Sequence, residues 1–165
     1  MIEAELASPQ LNDADRCSLL GYQCEMLHLL NRAKEADKPG QAALALAEKL
    51  QAVGRQDDPM NDYRMAWALS HVGRCEEAIA AIRRCVDAAR VPDQQASRWN
   101  FEESLARYYA YYNRPKECVA VLARLLRAPC LTTVPMLRVD PAWDPVRSDP
   151  GFQALLNDPK NDEPF

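Results

Sequence analysis

Apolar positions along this chain recur at intervals of three and four residues almost from end to end. That is the period of a helix with one buried face, and the two-residue alternation of a half-buried strand is nearly absent. Gly, Pro and Asp punctuate the pattern and divide it into helices. The first is expected over 13–36, ended by Asp37-Lys38-Pro39-Gly40, and the second from Gln41 to Val53. A third starts at Asp58-Pro59, where the carboxylate can cap free amides and Pro suits a first turn, and ends at Gly73. The fourth covers 75–90. After Val91-Pro92-Asp93, with Asp93 as cap, a long fifth helix reaches Asn113, and a sixth runs from Pro115 to Ala128-Pro129. The last, Pro150 to Asn157, follows three Asp-Pro pairs packed into the eleven residues 140–150.

Six helices joined by short turns imply three helical hairpins, and the small and apolar positions repeat accordingly. Met65-Ala66, Leu69, Gly73, Ala78, Ile82 and Cys85 form one series. Leu105-Ala106, Tyr109, Asn113, Cys118, Leu122 and Leu125 reproduce its spacing. A weaker copy runs Leu30, Asn31, Lys34, Lys38, Ala43, Ala47 and Leu50, which makes Ala43, Ala78 and Cys118 equivalent, 35 and then 40 residues apart. Small residues let the two backbones of a hairpin approach, and Gly73 or Asn113 can adopt the left-handed conformation that ends a helix. Each hairpin keeps one apolar face that only a neighbour can cover.

Composition fits an ordinary folded chain of 165 residues: 48% hydrophobic, 27% charged, with a formal net charge of −4. The acidic balance argues against a general binder of nucleic acid or anionic membranes. The start, MIEAELASPQLNDADRC, has neither the basic nor the apolar region of a secretory signal, and no apolar run approaches the roughly 18 residues of a membrane span. A cytoplasmic protein is expected. Five of the six cysteines lie in or beside helical stretches, so they are read as small core residues rather than a disulfide framework. There is no C-x-x-C, and His28 and His71 are not spaced with cysteines as zinc ligands, so no metal and no cofactor is expected.

Candidate chemistry resolves mainly into packing. Ser70 and His71 are neighbours that point about 100° apart on a helix, unsuited to a nucleophile and its base. Glu76-Glu77 and Glu102-Glu103 are read as solvated acids at helix starts, favoured by the helix dipole. In FEESLARYYAYYNR, residues Phe101, Leu105, Tyr108, Tyr109 and Tyr112 share one face, which is core rather than a base-stacking platform. The opposite faces of the first helices are more informative. Tyr63, Trp67, Ser70 and His71 fall together on the third helix, Asn100, Glu103, Arg107 and Tyr111 on the fifth, and Glu25, His28, Arg32 and Glu35 on the first. Aromatic anchors among Arg and Glu suit capture of an extended peptide or a partner helix. The alternative is that Tyr63 and Trp67 pack beneath the N-terminal arm.

The series over Asp62–Arg90 and Glu102–Ala128, with GRCEEAIAAIRRCV as turn and second helix, resembles the tetratricopeptide repeat. It departs from that pattern in carrying Asp62 and Glu102 where a Trp is usual, and in a spacing of 40 residues where about 34 is the rule. The closing stretch LRVDPAWDPVRSDPGFQALL resembles the end of such regions in bacterial signalling proteins, where they accompany a DNA-binding, kinase or cyclase domain. Read from its residues, that stretch is a lid: Asp before Pro sets extended geometry, Asp149-Pro150 has the form of a cap and first turn, and Trp143, Phe152, Leu155 and Leu156 supply the apolar payload.

The resemblance implies an all-α fold, a short solenoid of about three antiparallel hairpins. It comprises an arm (1–12), repeats (13–130), an Asp-Pro-rich cap (131–157) and a flexible tail (158–165). It also implies a non-enzymatic module that binds a protein or peptide on its concave face, or else a regulatory or self-association module of a bacterial signalling protein. Neither reading involves nucleic acid or a membrane.

Overall fold

A computed structural model describes residues 5–6, 8–30, 32–54, 58–90 and 95–161. Asn31, the proposed cap Asp93, residues 1–4 and 7 of the arm and 162–165 of the tail therefore lie outside the described residues. The described chain is all helix and turn, with no strand among the described residues. It divides into two compact units, Met1–Cys85 and Val86–Phe165.

The first unit holds α1 (Asp13–Leu29), α2 (Ala33–Val53), α3 (Pro59–His71) and the larger part of α4 (Cys75–Ala88). Asn12 caps α1 by accepting the Asp15 amide at 2.9 Å, and Asp58 caps α3 by accepting from Met60 at 3.0 Å, with Pro59 in the first turn. Helices α1 and α2 pack together, and α3 packs on both.

The expected break at Asp37-Lys38-Pro39-Gly40 does not occur. Helix α1 stops at Leu29, and α2 begins at Ala33 and runs straight through Pro39. An interior proline forfeits a backbone hydrogen bond and costs roughly 3 kcal/mol. Burial outweighs that local cost. Ala36, Pro39, Gly40, Ala43, Leu44 and Ala47 are all buried, and their spacing of three, one, three, one and three residues is one continuous helical stripe. Gly40 packs against the end of α3, where a Cβ would stand 3.4 Å from Val72 Cγ1.

The true end of α1 matches two others. Arg32 N–H donates to Leu27 O (2.8 Å), Arg74 to Leu69 O (3.0 Å) and Arg114 to Tyr109 O (2.7 Å), each closing a helix by the same six-residue loop. Gly73 (φ 75°) and Asn113 (φ 53°) supply the left-handed residue in the second and third. The guanidinium of Arg32 then grips Glu35 at 2.6 and 2.7 Å, and that of Arg74 grips Glu77 at the same two distances. The pattern Asn31-Arg32-x-x-Glu35, Gly73-Arg74-x-x-Glu77, Asn113-Arg114-x-x-Glu117 thus marks three equivalent turns, 42 and 40 residues apart.

This fixes the register of the first copy. The partner of Ala78 and Cys118 is Ala36, not Ala43; the difference of seven residues is two helical turns, which returns to the same face. All three are buried to 1% or less. Cross-helix contacts agree with the shifted register: Cys17 Sγ lies 3.5 Å from Ala43 O, and 42 residues on Cys85 Sγ lies 3.2 Å from Pro59 O. The acids standing where a Trp is usual are paired in both later copies. Asp62 meets Arg84 (2.5 Å) and, 40 residues on, Glu102 meets Arg124 (3.7 Å).

The second unit holds α5 (Gln95–Tyr111), α6 (Pro115–Leu125), α7 (Val134–Val139), a 3-10 helix Pro141–Val146, α8 (Pro150–Asn157) and a final turn Pro159–Asn161. Asp140 accepts the Ala142 amide (2.9 Å), and Asp149 accepts those of Gly151 and Phe152 (2.8 and 3.1 Å). Both aspartates have extended backbone (ψ 120° and 133°), the geometry Pro imposes on its predecessor. Trp143, Phe152 and Leu156 are buried, while Leu155 is half-buried. Arg147 fastens this segment by donating to the carbonyls of Leu137, Arg138 and Asp140. All six cysteines are free thiols.

Candidate functional site

The ten candidate residues fall into two groups, one in each unit. In the first unit the row is built on a missing side chain. Gly21 of α1 lets the Trp67 ring of α3 lie against backbone, where a Cβ would come within 2.9 Å of ring carbons. Tyr22 then meets Trp67 edge-on, with centroids 4.8 Å apart at 78°. His71 lies 5.8 Å along, and the His28 ring stacks on it at 6.0 Å and 12°. Trp67 is half-buried against α1.

His71 is not poised for acid–base work. Burial pushes His71 down to about 4, with the nearby His28 adding to the effect, so His71 is neutral near pH 7. The Ser70 hydroxyl donates to Trp67 O (2.7 Å), one turn back, and is spent there. Arg32 does not join the row: it precedes α2 and is held by Glu35. Tyr63 is half-buried on the same helix as Trp67. Burial also pushes Cys24 up to about 11 and Cys85 and Cys118 up to about 12, so these thiols stay protonated core residues.

In the second unit, Glu103 and Arg107 are engaged by the closing segment. Arg107 Nη2 donates to Glu103 Oε1 (2.9 Å) and Asp140 Oδ2 (2.7 Å), while Thr132 Oγ1 donates to Glu103 Oε2 (3.1 Å). The guanidinium also stacks 5.1 Å above the Trp143 ring. Burial opposes the charge on Arg107, but its bonds to Glu103 and Asp140 outweigh that and hold its pKa above the usual arginine value. Burial likewise works against ionised Asp140, yet the Ala142 amide and Arg107 together keep its carboxyl below the usual range. Asn100 is exposed, and Tyr111 is 58% exposed with its ring edge against Tyr112 at 5.1 Å.

One expectation about acids is corrected. Glu102 is neither solvated nor at a helix start: it lies mid-helix, is 4% exposed, and pairs with Arg98 (3.0 Å) and Arg124. The structure also reveals a feature that the pattern of residues did not show, a cleft of about 310 Å3 between α2 and α4. Met65 and Leu69 line it, with Arg74 and Arg84, both already paired to acids. Among the described residues no three His, Cys, Asp or Glu side chains converge as a metal site requires. No helix among them is long and apolar enough to cross a membrane.

Models of known protein families give no match to the chain, and a search of curated proteins finds none similar to it.

Proposed function

We propose that the chain is a non-enzymatic, TPR-like helical-repeat protein that holds a protein or peptide partner against the first helices of its helix pairs. Under this reading the first helix of each pair carries the partner surface, and Tyr63, Trp67 and Tyr111 are its aromatic anchors within a polar rim. The observation that supports it is the threefold recurrence of one helix pair, closed each time by the same backbone loop. Such units specify a surface and leave recognition to a few side chains upon it. The engagement of Arg107 and Glu103 by Asp140 and Thr132 removes them from that rim and leaves Asn100 and Tyr111 as the outward groups of α5.

The test is photo-cross-linking in cells with a reactive amino acid placed singly at Tyr63, Tyr111, Lys38 or Lys116. One common protein captured from Tyr63 and Tyr111, and not from the two lysine positions on second helices, is the expected result. Capture that does not distinguish the four positions refutes the assignment.

A further inference from the structure

The position seven residues before each turn arginine carries Glu25 on α1, Trp67 on α3 and Arg107 on α5. An anion, a ring and a cation are the parts of one interaction. In the second unit that interaction is complete: the Arg107 guanidinium lies 5.1 Å over the Trp143 ring and donates to the carboxylates of Glu103 and Asp140. A ring face and a carboxylate are what a partly desolvated guanidinium needs.

In the first unit the ring and the carboxylate are present and the cation is not. Tyr22 and Trp67 meet at 78°, with Tyr22 exposed and Trp67 half-buried, so both rings reach solvent. Glu25 lies one turn from Tyr22 and one turn from His28, each of which meets a ring of α3, and so it stands on the α1 side of the same row. It is exposed, and among the described residues no cation pairs with it. Arg64, one turn before Trp67, acts on Cys17, toward the other end of α1. His71, 5.8 Å from Trp67, is neutral near pH 7 and sets no charge against a cation.

We infer that the Tyr22–Trp67 corner and Glu25 bind an arginine side chain of a peptide partner, its guanidinium over the rings and against the carboxylate. The inference rests on the partner surface proposed above and names the chemistry that surface takes. The net charge of −4 favours the approach of a basic segment.

NMR titration of the full chain with acetyl-Ala-Arg-Ala-amide, followed at the Trp67 indole N–H, tests this. The expected result is a shift that saturates with a dissociation constant of roughly 1–10 mM, the range open to one side chain on an open surface. The same peptide with citrulline, which keeps arginine's shape without its charge, binds about fivefold or more weakly. Tyr22→Leu and Glu25→Gln each weaken the arginine peptide about two- to fivefold, and both keep the parent's helical circular dichroism because the replaced groups face water. Glu48→Gln, the same change of charge at an exposed site on α2, leaves binding unaltered. No shift at Trp67 up to about 30 mM peptide overturns the inference, as does a citrulline peptide that binds as tightly or arginine binding that survives both α1 substitutions. Selective cross-linking from Tyr63 and Tyr111 beside equal binding of the two peptides refutes the inference alone. Unselective cross-linking beside an arginine-specific shift refutes the wider partner surface alone.

Discussion

Trp67 and Arg107 hold the same place in their helix pairs, each seven residues before the turn arginine (Arg74 or Arg114), yet they live by opposite means. Trp67 spreads over a glycine on a neighbouring helix and packs edge-on against Tyr22 and at a tilt against His71. Arg107 receives its aromatic partner, Trp143, from a segment more than thirty residues away, together with the carboxylate of Asp140. The repeat therefore dictates the backbone closure at each turn and leaves the chemistry of the first-helix face to whatever segment reaches it. One unit uses that face to join two helix pairs, the other to fasten a lid.

The largest break of this contrast comes from the lid. Trp143→Ala removes a side chain that is 1% exposed, and the expected loss is about 3–5 kcal/mol, read from the urea midpoint. Acid breaks the other row. His71 is held near 4 when folded and returns to about 6.5 when unfolded, so the unfolded chain takes up the extra proton between these values. The stability His71 contributes is complete above about pH 6.5 and fades as pH falls toward 4, by about 2–3 kcal/mol. His71→Gln should flatten the urea midpoint across that window.

Arg107→Met keeps the bulk over Trp143 but frees Glu103 and Asp140, and an expected cost of about 1–2 kcal/mol follows from the lost charge-assisted bonds. Asp140 has the opposite pH signature to His71 in range, though not in sign. Its folded carboxyl lies below the usual value, so its contribution is complete above about pH 4 and is lost only below that. Denaturation followed between pH 4 and 2 should show this limb in the parent and a reduced one in Arg107→Met. The smallest effects test the shared turn. Gly73→Ala places a Cβ at φ 75° with nothing within 4 Å to clash, so its cost of about 1 kcal/mol is pure backbone strain. Asn113→Gly, at the matching left-handed position, should stabilise the fold by about 0.5 kcal/mol or less, read from the urea midpoint.

Local chemistry was legible in the residues. Asp58-Pro59 and Asp149-Pro150 read as cap and first turn because capping depends on neighbours in sequence. The second helix start was misread for the converse reason. A Lys-Pro-Gly sequence ends helices on its own terms, and only the burial of Ala36, Pro39 and Gly40 against α1 and α3 reverses that preference. The misplaced break carried the repeat register with it. A slip of two helical turns kept small residues facing small residues, so the apolar pattern could not expose it, whereas the recurring turn Arg and Glu do. The docking of Asp140 on Arg107, 33 residues away, had no local signal at all.

The register of the first helix pair decides whether three equivalent units exist, and backbone chemical shifts read it directly. The Cα shifts should be helical without interruption from Ala33 to Val53, Pro39 and Gly40 included, and should leave the helical range at Leu30 and at Arg32. Helical shifts that continue through Leu30–Ala36 and collapse at Asp37–Gly40 would contradict the account and dissolve the first of the three copies.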